Sequence, residues 1–387
     1  MTKVPDIAFD EYIRTGEPDR QEKASIWQAA IGLQAVDGLQ TSEYLKETAR
    51  KHIEGQIDID EARSLIKSYY QTKSVREPDD EEKQEADQVS ANITKILSSP
   101  TVDFSTAGVI ALHRRIFEGV LKHAGQLRDY DITKHEWVLD NDTVRYLNWE
   151  DLRRALDYDI GTERSFSYQG LSDDEMICHL TRFVAGLWQI HPFGEGNTRT
   201  TAVFTIQYLR SIGFKVNNDL FARHSWYFRN ALVRANYKNA RLGIDYSPIY
   251  LERFFRNLLL DEDWDLRSRY LHIHPSEEWS VQPRLSGPAN CENPASTQQV
   301  PSKYSTRVSP AVELLIDALG NEKKSIRELL ETLGLKDRNS FIKLYLRPAL
   351  DAELVRPVYP DSPRHPRQQY LLTESGLTLW HARNADS

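Results

Sequence analysis

The run His191-Pro-Phe-Gly-Glu-Gly-Asn-Thr-Arg-Thr200 decides the fold of this chain, because it joins two amphipathic segments through one short turn. Apolar residues recur at helical spacing from 175 to 190, which predicts a helix that ends at His191. Pro192 and two glycines are typical of a turn where backbone approaches a ligand closely. Thr198 is then predicted to cap a second helix, whose inner face begins at Val203.

This loop places a base, an acid, an amide and a cation close together in sequence. A glycine-rich loop that leads into a helix presents unpaired N–H groups and the positive end of the helix dipole, which together bind anions. A lone histidine at a helix end is more often a surface or capping residue than a catalytic one. Here, however, His191 shares one turn with Glu195, Asn197 and Arg199, so all four can converge on a single small anion. The sequence predicts a phosphate site, with Phe193 interpreted as an anchor to the core.

The loop resembles the signature of the Fic family, His-x-Phe-x-(Asp/Glu)-Gly-Asn-(Gly/Lys)-Arg. Six positions match at fixed spacing: His191, Phe193, Glu195, Gly196, Asn197 and Arg199. Fic proteins mostly transfer AMP from ATP to a hydroxyl of a target protein. The resemblance therefore implies a protein adenylyltransferase that modifies Ser, Thr or Tyr of a target, and also of itself. The alternatives are a regulatory DNA- or protein-binding protein with a degenerate Fic domain, or a Fic enzyme that uses another nucleotide.

The resemblance also assigns roles to individual residues. It implies that His191 is the general base, that Glu195 holds Mg²⁺, that Asn197 and the Gly196 amide bind phosphate oxygens, and that Arg199 grips the β-phosphate. The chemistry agrees, because a hydroxyl is a poor nucleophile until a base takes its proton, and Mg²⁺ prefers carboxylate and phosphate oxygens. The expected nucleotide-binding loop comprises Phe193, Gly194, Glu195, Gly196, Asn197, Thr198 and Arg199.

Two positions depart from the family pattern. Thr198 stands where AMP-transferring members usually have glycine and the kinase-like Doc branch has lysine, which leaves the nucleotide preference open. Ala202 stands where a second arginine often reaches the γ-phosphate. A contact to the terminal phosphate is therefore missing or supplied from elsewhere in the chain.

Residues 1–80 are predicted to form a helical unit, with helices over 21–33, 42–53 and 60–70. The segment 31–55 resembles the small antitoxin of some Fic toxins, in which a glutamate pairs with the second arginine. Asp37 stands at the position of that glutamate, while Ala202 replaces the arginine. We therefore expect weakened autoinhibition, with Asp37 as the residual inhibitory position. The alternative is an ordinary helical docking domain.

Residues 81–260 are the predicted catalytic domain, a helical bundle with one β-rich interruption. The runs 136–139 and 143–147 flank the turn cluster Asp140-Asn-Asp142, which predicts a hairpin. In Fic proteins a hairpin flap beside the loop pairs with an extended segment of the target by strand addition. The resemblance thus implies a target-binding flap, and a plain surface hairpin is the alternative. The expected flap residues are Val138, Leu139, Thr143 and Val144.

The C-terminal part is predicted to begin with a linker over 261–308, where Gly, Pro, Ser, Asn and Gln cluster without periodicity. Residues 309–387 then follow the order of a winged helix, with three helices and two short strands. Its basic residues are partly offset by acidic ones. We favour protein contact or dimerisation over DNA binding, although the fold alone does not decide between them.

Composition limits the remaining classes. The chain has 387 residues and a formal net charge of −8, with an isoelectric point near 5.8, which argues against a general nucleic-acid or membrane-surface binder. Its first twenty residues lack the pattern of a signal peptide, and we expect a cytoplasmic protein. The expected fold is mainly α: a Fic-type helical bundle with a β-hairpin flap, an N-terminal antitoxin-like helical unit and a C-terminal winged helix, with ATP and a target protein as partners.

Overall fold

A computed structural model of the chain is mainly helical and consists of two compact units, residues 1–299 and 300–387. None of the helices among the described residues is long and apolar enough to cross a membrane. The structure describes residues 9–74, 77–99, 103–216, 218–274, 310–335, 338–352, 354–359 and 368–384.

The first unit is a bundle of helices, and helices were predicted at most of their positions. The helices that precede the predicted hairpin are α1 (Asp10–Thr15), α2 (Pro18–Gly32), α3 (Glu43–Ile53), α4 (Ile59–Thr72), α5 (Asp80–Leu97) and α6 (Thr106–Ile116). Those that follow it are α7 (Leu152–Arg164), α8 (Asp173–Ile190), α9 (Asn197–Ser211), α10 (Asn218–Ala235) and α11 (Ile249–Leu259).

The N-terminal helices pack directly onto the rest of this unit. A Cβ atom on Gly32 of α2 would lie only 2.3 Å from the carbonyl oxygen of Ala222, so α2 and α10 approach each other closely. Asp87 of α5 accepts hydrogen bonds from the Ser42 backbone N–H at 2.9 Å and from the Tyr70 hydroxyl at 2.7 Å. The predicted antitoxin-like helices therefore belong to the same compact unit as the predicted catalytic helices.

Helix α9 lies at the centre of the bundle. Every residue from Asn197 to Leu209 is buried, including its polar ones. Helix α8 packs against it and starts with a capping box, in which Ser172 and Glu175 bond each other's backbone N–H groups. The loop between the two helices is thus held at both ends by well-packed structure.

The predicted hairpin is replaced by a tighter structure. The chain does reverse at the expected place: Asp140 and Asn141 have φ values of 54° and 67°, and the Glu136 N–H donates to the Asp142 carbonyl at 2.9 Å. However, residues 137–139 form a 3₁₀ turn, and neither flank forms a strand. The apolar residues of the two β-rich runs serve burial instead.

The side chains expected to meet a target are mostly inside the protein. Val138, Leu139 and Val144 are buried, and Thr143 is half-buried. The Val138 carbonyl is also occupied, because it accepts a hydrogen bond from the Ile273 N–H at 3.0 Å. The structure therefore gives these four residues a packing role.

Residues 261–274 were predicted as the start of a linker, but they pack onto the bundle. A 3₁₀ turn spans Ser268–Leu271, and Leu271 is fully buried. Arg234 of α10 donates to the Leu271 carbonyl at 2.6 Å. The short-range composition of this stretch did not reveal that contact. The rest of the predicted linker lies outside the described residues.

The second unit has the predicted order of three helical segments followed by two strands. Ser325 and Glu328 form the expected capping box, and the strands pair antiparallel with Val355 opposite Leu372. A final helix follows that the sequence did not suggest. The elements are α12 (Pro310–Leu319), α13 (Ile326–Thr332), α14 (Arg338–Phe341), a π-helical turn (Ile342–Leu346), α15 (Arg347–Asp351), β1 (Val355–Pro357), β2 (Tyr370–Leu372) and α16 (Glu374–Asn384).

Candidate active site

His191 ends α8 in a left-handed conformation, with φ at 49°, and only 2% of its surface is exposed. Its Nδ1 lies 3.4 Å from the Trp188 carbonyl oxygen. Because a carbonyl only accepts, Nδ1 carries the proton and Nε2 keeps a lone pair. Within the described residues, the buried Nε2 has no hydrogen-bond partner. Burial, followed by the positive charge of Lys134, holds the pKa of His191 well below its ordinary value, so the ring is neutral.

Two residues that the sequence did not single out fix the position of His191. The Tyr146 ring packs against the imidazole, with ring centroids 4.1 Å apart. The fully buried Arg128 side chain donates through Nε to the His191 carbonyl at 2.8 Å, and its backbone N–H donates to the Pro192 carbonyl at 2.9 Å. Isolated residues in an irregular segment offer no periodic signal by which they could have been found.

The side-chain amide of Asn197 closes the loop by bonding the backbone of Phe193. The Phe193 N–H donates to Asn197 Oδ1 at 2.9 Å, and Asn197 Nδ2 donates to the Phe193 carbonyl at 2.7 Å. The Phe193 ring is buried and stacks on His113, with centroids 3.8 Å apart. Phe193 thus anchors the loop to α6. Both polar atoms of the Asn197 side chain are used to shape the loop, whereas the resemblance had implied a phosphate contact.

His113 of α6 is a second buried histidine at the site, and the sequence did not suggest it. Its Nε2 donates to the Glu195 carbonyl across 3.1 Å, while its Nδ1 accepts from the Gly125 N–H at 2.8 Å. Burial lowers the pKa of His113 to about 4. The ring therefore stays neutral at pH 7 and holds the backbone of Glu195 in place.

Gly196 begins α9 as its N-cap residue, with φ at 71°. A Cβ atom here would lie 2.2 Å from Phe117 Cζ, so the close approach of backbone to aromatic ring requires glycine. The predicted cap at Thr198 is wrong, because α9 starts at Asn197 with Gly196 as its cap, two residues earlier than predicted. The buried Thr198 hydroxyl instead accepts from Trp188 Nε1 at 3.0 Å. The Thr198 side chain therefore braces α8 against α9.

Glu195 is the exposed carboxylate of the loop, beside the start of α9. Mg²⁺ usually keeps several waters and binds through one or two carboxylates together with substrate phosphates. A single exposed carboxylate next to free helix N–H groups fits that requirement. Neighbouring Gly194 lies beneath Tyr130, whose hydroxyl is 2.8 Å from the position of a Gly194 Cβ.

Arg199 is 3% exposed, and acidic and amide groups surround it. Its Nε lies 2.8 Å from Asp37 Oδ2, its NH1 donates to Gln34 Oε1 at 3.0 Å, and its NH2 donates to Glu85 Oε1 at 2.8 Å. The guanidinium also lies over the Phe117 ring, 4.8 Å from its centroid. The expected phosphate-binding cation is thus already engaged by protein groups.

The expectation that Asp37 has no arginine to hold is therefore wrong. Gly38, with φ at 74°, ends a 3₁₀ turn over Leu33–Asp37 next to α9. This brings the short Asp37 side chain to Arg199, the arginine of the loop motif, instead of to position 202. Glu85 reaches the same arginine from α5, a contact between residues far apart in sequence that no local pattern indicates.

A glycine-rich turn that joins two helices, closed by its own asparagine and carrying a neutral buried histidine, defines the class: a helical bundle built around a glycine-rich loop. Comparison with known proteins identifies two domains. Residues 103–209 match the Fic/DOC family, and residues 310–373 match the C-terminal domain of "Filamentation induced by cAMP protein Fic-like" proteins. The chain therefore carries a Fic/DOC-type domain over residues 103–209 and a Fic-like C-terminal domain over residues 310–373.

The chain is also similar to individual known proteins, at low sequence identity. The chain is 28% identical over 245 residues to the protein adenylyltransferase VbhT of Bartonella schoenbuchensis, a match that covers 60% of this chain and 48% of the relative. The chain thus spans about half the length of that curated relative. Solved structures with weak overall similarity include a Fic family protein from Desulfovibrio desulfuricans (16% identity, 97% and 98% coverage, TM-score 0.41) and BepC from Bartonella tribocorum with bound AMPPNP (16%, 48% and 90%, 0.38).

Proposed function

We propose that this protein transfers AMP from ATP to a hydroxyl side chain of a target protein, and also to one of its own. The observation that carries the proposal is the state of His191. It is a neutral imidazole whose Nε2 has no partner among the described residues, held rigidly at one end of a phosphate-binding loop. Such a nitrogen is ready to take a proton from an approaching hydroxyl.

The reaction then proceeds by direct displacement at the α-phosphorus. The target oxygen forms a bond to that phosphorus as its proton passes to His191 Nε2, and the bond to the bridging oxygen breaks with its electron pair leaving on pyrophosphate. A general base of this kind contributes about 10²–10⁴-fold to the rate. The N–H groups at the start of α9 face the phosphate charge, because its cap Gly196 provides no side chain to bond them.

The charges around His191 suggest how the base is tuned. Lys134, Arg128 and Arg229 all lower the pKa of His191, in addition to burial. A nucleotide triphosphate brings negative charge to the same place, and nearby negative charge favours protonated imidazole. Binding of ATP therefore raises the pKa of His191 towards the working pH, where a general base is most effective.

Glu195 would hold Mg²⁺, which would offset phosphate charge when bound. Arg199 would meet the charge that develops on the leaving pyrophosphate. To do so, its guanidinium has to exchange Asp37 and Glu85 for phosphate oxygens. Before nucleotide binds, Asp37 and Glu85 thus hold Arg199 away from its proposed role. This autoinhibition is stronger than the sequence suggested.

The test is incubation of the full chain with ATP labelled on the α-phosphate and Mg²⁺. We expect label on the protein or on an added lysate protein, and loss of at least 100-fold in the rate for His191→Ala, with nucleotide binding retained. His381→Ala, an exposed histidine of the second unit, is the matched control. Equal labelling by His191→Ala and wild type would rule out the assignment.

A further inference from the structure

Lys134 lies in residues 128–147, the covering segment, which contacts the loop 191–200. Arg128 and Tyr130 precede it, bonded to the His191 carbonyl and placed over Gly194, respectively. Glu136 follows it and accepts a hydrogen bond from Tyr146, whose ring packs on His191. The Lys134 N–H itself contacts Thr143 Oγ1 at 3.4 Å on the returning part of the chain. Lys134 is therefore fixed beside the loop on both sides.

The charged groups near Lys134 are residues of the candidate active site. Asp37 and Glu195 act on its amine, and the Lys134 charge in turn acts on His191. Nevertheless, Lys134 forms no ion pair within the described part of the chain. Two of the three acids around it are engaged elsewhere: Asp37 pairs with Arg199 at 2.8 Å, and Glu136 pairs with Arg229 at 2.8 Å.

A half-buried ammonium group without a partner is costly, because burial removes water and nothing replaces it. Burial accordingly lowers the pKa of Lys134. Arg199 is not unpartnered in this way, since it forms ion pairs with two carboxylates and donates a hydrogen bond to the Gln34 amide oxygen. Of these two cations beside the loop, Lys134 is the one whose charge is available to an incoming anion.

We propose that Lys134 binds the terminal phosphates of the nucleotide and so makes the site prefer a nucleoside triphosphate to a monophosphate. This inference rests on the proposed function, which places a nucleotide in the loop. It also supplies a cation that α9 lacks at position 202, where a fully buried alanine stands. Lys134 comes from the covering segment, so the phosphates would be held from the loop side by α9 and from the opposite side by Lys134.

The test compares Lys134→Met and Lys134→Arg with wild type in the full chain. Dissociation constants are measured by calorimetry for AMP, ATP and inorganic tripolyphosphate, in the wild-type background and again with Asp37→Asn. We expect Lys134→Met to weaken ATP and tripolyphosphate binding about 10- to 100-fold, the range for a hydrogen bond to a charged group. AMP binding should change less than about twofold, a size too small for such a bond.

Lys134→Arg keeps the charge and should retain most of the ATP affinity. Lys215→Met, an exposed lysine beyond the far end of α9, is the matched control and should behave as wild type. Unfolding midpoints of all variants show whether a loss reflects binding or folding.

The outcomes separate this inference from the proposed function. If wild type transfers AMP while Lys134→Met binds ATP normally, the inference is overturned and the function stands. If Lys134→Met loses tripolyphosphate binding although wild type transfers no AMP, the phosphate contact stands and the function fails. Equal losses for AMP and ATP would overturn the inference, since Lys134 would then act on the shared part of the nucleotide. Failure of ATP and tripolyphosphate to bind in either background would overturn both.

Discussion

Replacement of Asp37 by asparagine should release Arg199 in part and increase AMP transfer by the full chain. The asparagine side chain keeps nearly the same size but lacks the charge that pairs with the guanidinium at 2.8 Å. Because Arg199 is almost completely buried, it must exchange this partner for phosphate before it can assist the reaction. The change therefore favours the state that binds ATP.

The size of the effect follows from the exposure of the two partners. The Asp37 side chain is 36% exposed, so solvent screens its charge and a value of up to about 1 kcal/mol is appropriate for the pair. Because Arg199 is buried, the interaction energy of the pair is somewhat larger, about 1–2 kcal/mol, which corresponds to about 5–30-fold in an equilibrium constant. Glu85 still bonds Arg199 in this variant, which places Asp37→Asn at the lower end. Asp37→Asn combined with Glu85→Gln should exceed either change alone.

The assay measures ATP affinity and the initial rate of self-labelling for wild type, both single variants and the double variant. Asp157→Asn, an exposed aspartate of α7, is the matched control. If the rate and the affinity remain at wild-type values in all three variants, these carboxylates do not restrain the site. If deletion of residues 1–72 also leaves the rate unchanged, the N-terminal helices serve only the stability of the bundle.

Two further predictions concern the loop itself. Glu195→Gln should abolish the dependence of ATP affinity on Mg²⁺, which titrations with Mg²⁺ and with a chelator will show; persistent dependence would place the metal on another carboxylate. Gly196→Ala should destabilise the fold by about 1–3 kcal/mol in urea unfolding, because φ is 71° and the added carbon would meet Phe117 at 2.2 Å. Wild-type stability in that variant would mean that the ring moves aside freely.

Local sequence patterns predicted the parts of this protein that depend on neighbours in the chain. The apolar spacing before His191 predicted α8 with its observed end, and Ser325 with Glu328 predicted the start of α13. The same reasoning failed at residues 136–147, where two β-rich runs around a turn cluster indicated a hairpin. Val138 and Leu139 are instead buried in a 3₁₀ turn.

The arrangement at the site could be predicted only in part. The loop motif identified His191 and Arg199, but their partners lie far away in sequence. Arg199 meets Glu85, 114 residues earlier, and the loop carbonyl of Glu195 meets His113, 82 residues earlier. Such contacts follow from the packing of α5, α6 and α9, which a single sequence does not specify. Asp37 was identified, yet its partner was not, because the choice between positions 199 and 202 depends on the path of the turn at Gly38.

Under the proposed function, the opposing charges at the two ends of the loop should make ATP binding and activation of the base a single event. Before ATP binds, carboxylates occupy Arg199, while cations and burial hold the pKa of His191 low. In the proposed reaction, the phosphates would replace the carboxylates at Arg199 and at the same time add negative charge near His191. The pKa of His191 should thus be lower in the free protein than in the ATP complex.

Since neutral His191 is the active form, both kcat and kcat/KM should fall as the pH is lowered through the relevant pKa. The acid limb of kcat/KM reports the free protein, and that of kcat reports the ATP complex. We therefore expect the acid limb of kcat to lie at higher pH than that of kcat/KM, and Lys134→Met to bring the two limbs closer by raising the pKa in the free protein. Measurement of the self-labelling rate at limiting and saturating ATP decides this point, over a pH range that extends well below the one in which histidine ordinarily titrates, because the pKa of His191 in the free protein is lowered. Acid limbs that coincide in wild type would show that the nucleotide does not tune the histidine.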